Sequence, residues 1–274
     1  MSAPATTAGL RALEAEQHAR RLSYVSLFWL AARECLRVGR LWSQTVVAPV
    51  VSSLLFVVVF GLAIGDRIRT VNGFEYQVFI LPGLVAMSML TAAYQNNSSS
   101  IFQARNDRYI DDILAAPMMP WQIDVGMTIG GVFRALLIGL VLTGVAAPLL
   151  GVPVEHPFLL VLGVIPAVLA FASLGIIVGI YAQTWDHHSF VSNLVIAPLA
   201  FVGGVFYSID ILPSPWQEIS HANPLFYVVD AIRYGFLGSS DVPFGLSFPI
   251  TVALAAALFS WSAWLFASGH KLKP

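Results

Sequence analysis

Hydrophobic positions along the chain run in long, nearly unbroken blocks separated by short polar breaks. A helix that crosses a bilayer needs about 20 consecutive apolar residues, and six blocks reach that length. They lie at about residues 44–65, 76–102, 123–150, 158–183, 189–209 and 244–268. Arg40, Asp66, Glu75, Arg105, His156, Asp186, His188, Asp210, Asp241 and His270 mark the breaks. The pattern predicts an all-α polytopic membrane protein with six transmembrane helices. It forms one membrane domain over residues 23–268, with a polar leader at 1–22 and a short tail at 269–274.

Composition agrees. The 274 residues are 57% hydrophobic and 11% charged, against about 25% charged in soluble domains. Water cannot solvate such a surface, so lipid is its solvent. A net charge of −1 lacks the basic footprint that nucleic acid requires. One cysteine, Cys35, excludes an intrachain disulfide and a cysteine-rich metal site. No short apolar segment with a small-residue cleavage site follows the leader, so the first block is expected to act as an uncleaved signal. Positive charge is retained in the cytosol. Arg11, Arg20, Arg21, Arg33, Arg37 and Arg40 precede the first block, and Lys271 and Lys273 follow the last. The alternate loops hold only Arg67, Arg69 and Arg233. Both termini are therefore expected on the cytosolic side.

Three segments outside the blocks carry patterned charge. Over 24–42, Arg33, Arg37 and Arg40 share one helical face, with Glu34 among them. Phe28, Ala31, Cys35, Val38 and Trp42 share the other. This predicts an interfacial helix with its guanidinium groups toward lipid phosphate. In "RNDRYIDDILAAPMMPWQ" (Arg105 to Gln122), Ile110, Ile113 and Leu114 fall on one face. Asp107, Arg108, Asp111 and Asp112 fall on the opposite one. Arg108 and Asp112 have i,i+4 pairing distance, and Pro117 and Pro120 end the helix. Neighbouring Asp111 and Asp112 point about 100° apart on a helix, so they do not converge on one ion. A two-faced helix in a cytosolic loop suits docking to a partner. The short "QTWDHHS" (Gln183 to Ser189), with Trp185, Asp186 and His187, lies on the same side. Adjacent His187 and His188 have no second cluster to complete a metal site. No H-E-x-x-H, G-x-S-x-G or P-loop glycine pattern occurs, and no metal site is expected.

The third segment, "YSIDILPSPWQEISHANPLFYVVDAIRYGFLG", has two helix starts. Ser214 with Gln217 has capping-box spacing. Asn223 followed by Pro224 is a favoured N-cap and first position. The second helix should reach about Leu237, where Gly238 supplies a left-handed stop. Fourteen residues rise about 21 Å, short of a roughly 30 Å hydrocarbon core. Asp230 and Arg233 have i,i+3 pairing distance. Two short re-entrant helices are expected, acting as a gate or as a structural plug. Within the blocks, Arg134 is either functional or engaged with backbone carbonyls. The polar run Thr91 to Ser100 either joins helices or lines a polar route.

These residues resemble the permease subunit of type-2 ABC exporters, most closely the YadH-like bacterial inner-membrane permeases. The matching text includes "GFEYQVFILPGLVAMSML", "IDDILAAPMMPWQI", "PLAFVGGVFYSIDILPSPWQEISHANPLFYVVDAIRYGFLG" and "GDRI" after the first block, and spans about residues 24–268. The resemblance implies a permease of the bacterial cytoplasmic membrane that works as a homodimer. It exports an amphipathic, lipid-like, drug or glycan substrate. It implies a connecting helix carrying Arg33, Glu34, Arg37 and Arg40. A coupling helix spans Asp107 to Leu114, with Trp185, Asp186 and His187 as a lesser contact. A re-entrant gate includes Asn223, Pro224, Tyr227, Asp230, Arg233 and Tyr234, and a translocation route holds Asn96, Asn97, Phe201 and Phe206. It also implies two copies of a separate P-loop ATPase that binds ATP and Mg, because this chain has no phosphate cradle of its own. The competing reading is a membrane-embedded enzyme that uses Asp111 and Asp112 or Arg134 on a lipid-linked substrate. A proton-coupled transporter would want a carboxylate in mid-membrane, and none was expected there.

Overall fold

The computed structural model describes the backbone of residues 4–64 and 70–272, and the side chains of residues 17–61, 70–187 and 189–272. "GDRI", Arg67, Arg69 and Lys273, and the side chains of Arg11 and His188, lie outside the described residues. Helix α1 (Pro4–Arg40) leads through a π-helical turn (Ser43–Val47) into α2 (Ala48–Ile64). A hairpin follows, β1 (Thr70–Val71) paired with β2 (Phe74–Glu75). Its turn residues Asn72 and Gly73 both have positive φ, as a two-residue hairpin turn of this hand requires. Then come α3 (Tyr76–Asn106), α4 (Ile110–Ala115), α5 (Pro120–Leu150), α6 (Pro157–Tyr181) and α7 (Trp185–Val191). A second π-helical turn (Ser192–Ile196) joins α7 to α8 (Ala197–Val202). A 3₁₀ turn (Ile209–Ile211), α9 (Ser214–Ala222), α10 (Pro224–Leu237) and α11 (Phe244–Ser268) complete the order.

Two features refine the expected elements. The leader and the interfacial helix are one continuous helix from Pro4 to Arg40. Among the described residues five helices are long and apolar enough to cross a membrane: Ser43–Gly61, Tyr76–Asn106, Pro120–Leu150, Pro157–Tyr181 and Phe244–Ser268. The block expected at 189–209 is helical only to Val202. Gly203 and Gly204 follow, and Gly204 takes φ +77°, which ends the helix. Upstream, Asp186, His187, Ser189, Ser192 and Asn193 make the start of this stretch polar.

α3 is the centre of the bundle and packs most extensively on α6 and α5. Small residues let membrane helices approach closely, and α6 presents two. A Cβ on Gly175 would collide with the carbonyl of Tyr94, and one on Gly179 would lie 2.7 Å from the carbonyl of Ser98. Polar side chains of α3 close the same seam: Asn97 Nδ2 donates to the carbonyl of Ala172 at 3.1 Å. Arg105 Nη1 donates to the carbonyls of Ile180 and Ala182 at 2.6 and 3.0 Å, satisfying the last carbonyls of α6 as a cation at a helix C-terminus does. α2 lies antiparallel against α3, joined by the Ser53 and Ser88 hydroxyls at 2.6 Å. Its other face exposes Val51, Leu55, Phe56, Val58 and Val59.

Candidate functional site

At one end of the bundle, α3 stops at Asp107, and Arg108 turns the chain with φ +60°. Helix α4 begins only at Ile110, three residues after the expected start at Asp107. Arg108 is therefore off the helix, and the expected Arg108–Asp112 ion pair is not among those of the described residues. The two-faced character holds. Ile110 and Ile113 are buried in a cluster with Leu30, Ile123, Met127 and Ile180, and Leu114 packs at its edge. Asp107, Arg108, Asp111 and Asp112 are exposed. Trp185 stacks edge-on against Phe102 at 4.8 Å. His187 Nδ1 accepts from the Gln183 N–H at 3.1 Å, while Asp186 is exposed.

α1 lies beside α4 and packs on α5. Its buried stripe is Leu30, Glu34 and Val38, one turn apart, so Phe28 and Trp42 face outward instead. Glu34, 1% exposed, binds Arg33 at 2.7 Å and Arg37 at 3.0 Å. It also accepts from Ser100 Oγ at 2.8 Å. Arg37 donates to the carbonyl of Asn96 at 3.0 Å, and Arg33 lies 5.3 Å over the Tyr109 ring. Arg33 and Arg37 thus bond back onto the protein through Glu34, although Arg33 stays exposed as Arg40 does. Between α1 and α4 runs a groove of about 880 Å³ whose walls include Trp29, Arg33, Arg37, Arg40, Tyr109 and Asp112. Burial, with Glu34 adding to it, pushes the Cys35 thiol pKa up, so the thiolate is disfavoured there.

At the opposite end, α10 has the expected caps. Asn223 Oδ1 accepts from the Leu225 N–H at 3.0 Å while its amide donates to the carbonyl of Leu199 at 2.6 Å. Pro224 is the first helical residue and Gly238 takes φ +64°. The expected capping box at Ser214 is absent, because Pro213 occupies the cap position of α9 and Ser214 is already helical. The expected Asp230–Arg233 pair is also replaced. Arg233, 1% exposed, donates to the carbonyl of Gly204 and covers the Phe79 ring at 4.3 Å. Its ion pair is with Asp241 at 3.9 Å. Asp230 instead accepts the Asp241 N–H at 2.8 Å. Asp241 gathers Ser208 Oγ at 2.7 Å, the Ile209 N–H at 3.1 Å and Asn72 Nδ2 at 3.1 Å. Tyr227 donates to the carbonyl of His221 at 2.9 Å, and Tyr234 stacks between His156 and Phe244.

A third feature lies within the membrane blocks. A groove of about 360 Å³ between α2, α3, α5 and α8 is lined by Gln44, Thr91, Gln95, Arg134, Phe201 and Phe206, among others. Phe201 and Phe206 stack at 5.1 Å. Asn96 and Asn97 are buried on another side of α3 and do not line it: Asn96 donates to Asn97, Asn97 donates to α6, and both lie against Gly130 and Gly131 of α5. Arg134 Nε donates to the carbonyl of Thr45 at 3.1 Å, a contact of the kind one of its expected alternatives named. The sequence reading missed two acids. Asp241 served there only as a boundary. Asp124, fully buried near the start of α5, accepts from Ser262 Oγ of α11 at 3.0 Å.

Residues 25–237 match the ABC-2 type transporter family. The chain is 39% identical over 243 residues to the inner membrane transport permease YadH of Escherichia coli (strain K12), covering 86% of this chain and 95% of that protein. It is 30% identical over 203 residues to nodulation protein J of Rhizobium leguminosarum bv. viciae, covering 72% and 78%. It is 31% identical over 211 residues to nodulation protein J of Rhizobium meliloti (strain 1021), covering 75% and 80%.

Proposed function

We propose, from the premise that this chain belongs to the ABC-2 type transporter family, that it is the membrane subunit of an ATP-driven exporter. Family membership implies an ABC ATPase as its partner. In this reading two copies of the permease pair with two copies of the ATPase, which bind ATP and Mg outside this chain. The cargo is an amphipathic, lipid-like, drug or glycan molecule, moved out across the inner membrane. Both termini are cytosolic, the segment from Trp185 to Tyr207 makes a sixth crossing, and α9 and α10 re-enter the outer leaflet.

One observation carries the reading: α4 is anchored on one face and free on the other. Ile110 and Ile113 are buried, while Asp111 and Asp112 are exposed. A force applied at α4 therefore reaches α1 and α5 through packed side chains, and α1 is bound to α3 through Glu34 and Ser100. Closure of the ATPases moves this end of the bundle and shifts the population between inward- and outward-open states. The exposed, divergent carboxylates of α4 give the competing enzyme reading no enclosed site.

The purified chain is expected to hydrolyse no ATP, and affinity purification from its host should retain a P-loop ATPase. Replacing Asp111 and Asp112 together by Lys should lower that co-purification several-fold while membrane insertion is unchanged. ATP turnover by the lone chain overturns the assignment of energy supply. Undiminished co-purification overturns the docking role of α4.

A further inference from the structure

We infer that the groove between α2, α3, α5 and α8 binds the acidic headgroup of an amphiphile through the Arg134 guanidinium. The inference deepens the export reading by naming a substrate chemistry, and it rests on that reading for its biological sense. Arg134 stands 14 residues after Pro120 and 16 before Leu150 in α5, so it is about 21 and 24 Å along the axis from the two ends. A guanidinium at such depth is expensive and is normally paired or functional. Among the described residues Arg134 makes one hydrogen bond, through Nε to Thr45. Its Nη1 and Nη2 groups have no partner there, and no Asp or Glu lines the groove that the side chain borders. An oxyanion in the groove supplies what the protein omits. A guanidinium fork matches phosphate or carboxylate with two parallel hydrogen bonds.

The rest of the groove is graded along its length. The Ser53–Ser88 contact fixes α2 and α3 antiparallel, which brings Gln44 and Gln95 to the same level at the Arg134 end. Ser52 and Thr91 come next, then Phe56 and Leu84, with the stacked Phe201 and Phe206 pair also lining the wall. Gln44 and Phe56 are 12 residues apart, about 18 Å of helix. A polar end with one cation and two amides, running into an aromatic and aliphatic end, has the shape of a headgroup site with a chain channel. Its volume of about 360 Å³ falls within the roughly 300–1,000 Å³ range of small-molecule sites.

The test uses the full chain, purified and stripped of lipid, with dioleoyl phosphatidic acid as probe and dioleoylglycerol as its uncharged counterpart. Binding is followed by native mass spectrometry. The wild type should prefer phosphatidic acid, and Arg134→Gln should weaken it about tenfold or more. Arg134→Lys should retain part of the affinity, and Arg21→Gln, at an exposed position of α1, should retain all of it. Gln95→Leu, which narrows the polar end without changing charge, gives a second readout should Arg134→Gln fold poorly, and should also weaken binding. Equal binding of both probes, or equal affinity in wild type, Arg134→Gln and Gln95→Leu, overturns the inference. The source of the ligand is read by extracting the molecules that co-purify with the wild-type chain but not with Arg134→Gln. An ordinary membrane phospholipid assigns the site to the bilayer, and a different acidic amphiphile assigns it to cargo. No acidic amphiphile enriched over the variant overturns it. Binding is measured without the ATPase, so a failure of docking at α4 leaves this result standing, and the reverse also holds.

Discussion

Helices α4 and α10 began from the same sequence argument: a short amphipathic helix in a loop, with charges at pairing distance. The structure treats them in opposite ways. The charges of α4 stay in solvent, and its apolar face alone is buried. The charges of α10 are among the most buried in the molecule, and Arg233 is fully enclosed. Partners make the difference. α10 is met by the end of the α8 segment, by Phe79 of α3 and by the loop before α11, which offer a carbonyl, a ring face and a carboxylate to Arg233. Nothing of that kind reaches Asp111 or Asp112 among the described residues. Loop charge thus acts as an internal tie where the fold surrounds it, and as a free surface where it does not.

The contrast can be broken most directly at Arg233. Arg233→Ala leaves Asp241 buried without its cation, a loss of about 3–5 kcal/mol, and should lower the thermal midpoint in detergent more than any change on α4. Arg233→Met combined with Asp241→Asn should recover part of that loss. Asn223→Ala removes a cap of α10 and should cost about 1 kcal/mol, seen as a smaller drop in the same melt. Asp111→Asn and Asp112→Asn should stay within about 0.5 kcal/mol of wild type. A loss on α4 comparable to that on α10 would dissolve the distinction.

Local signals in the sequence were read well where the structure is local. Asn223, Pro224 and Gly238 set the ends of α10 through their own backbone preferences, and Ile110, Ile113 and Leu114 foretold the buried face of α4. Reading failed where a partner comes from elsewhere in the chain. Arg233 looked toward Asp230 because the two are a turn apart, yet Asp241 sits past the helix stop and is brought back by the fold. Asn96 and Asn97 look alike to Gln95 in the sequence, but they lie where α3 meets α5 and α6. The arginines of α1 were assigned to lipid phosphate because Glu34 had not been recognised as a buried anchor. The end of α8 was legible in principle, since Gly203 and Gly204 stand inside the apolar block, but hydropathy outweighed them.

The seam between α3 and α6 also constrains the order in which the protein can be made. The amide of Asn97 finds its acceptor in Ala172, 75 residues further along the chain, and Arg105 finds its carbonyls between Gly179 and Ala182. When α3 leaves the ribosome, none of these groups exists. The most polar of the crossing helices must therefore wait in the insertion machinery, or beside water, until α6 arrives. The seam is completed late in synthesis, although its first half is made early.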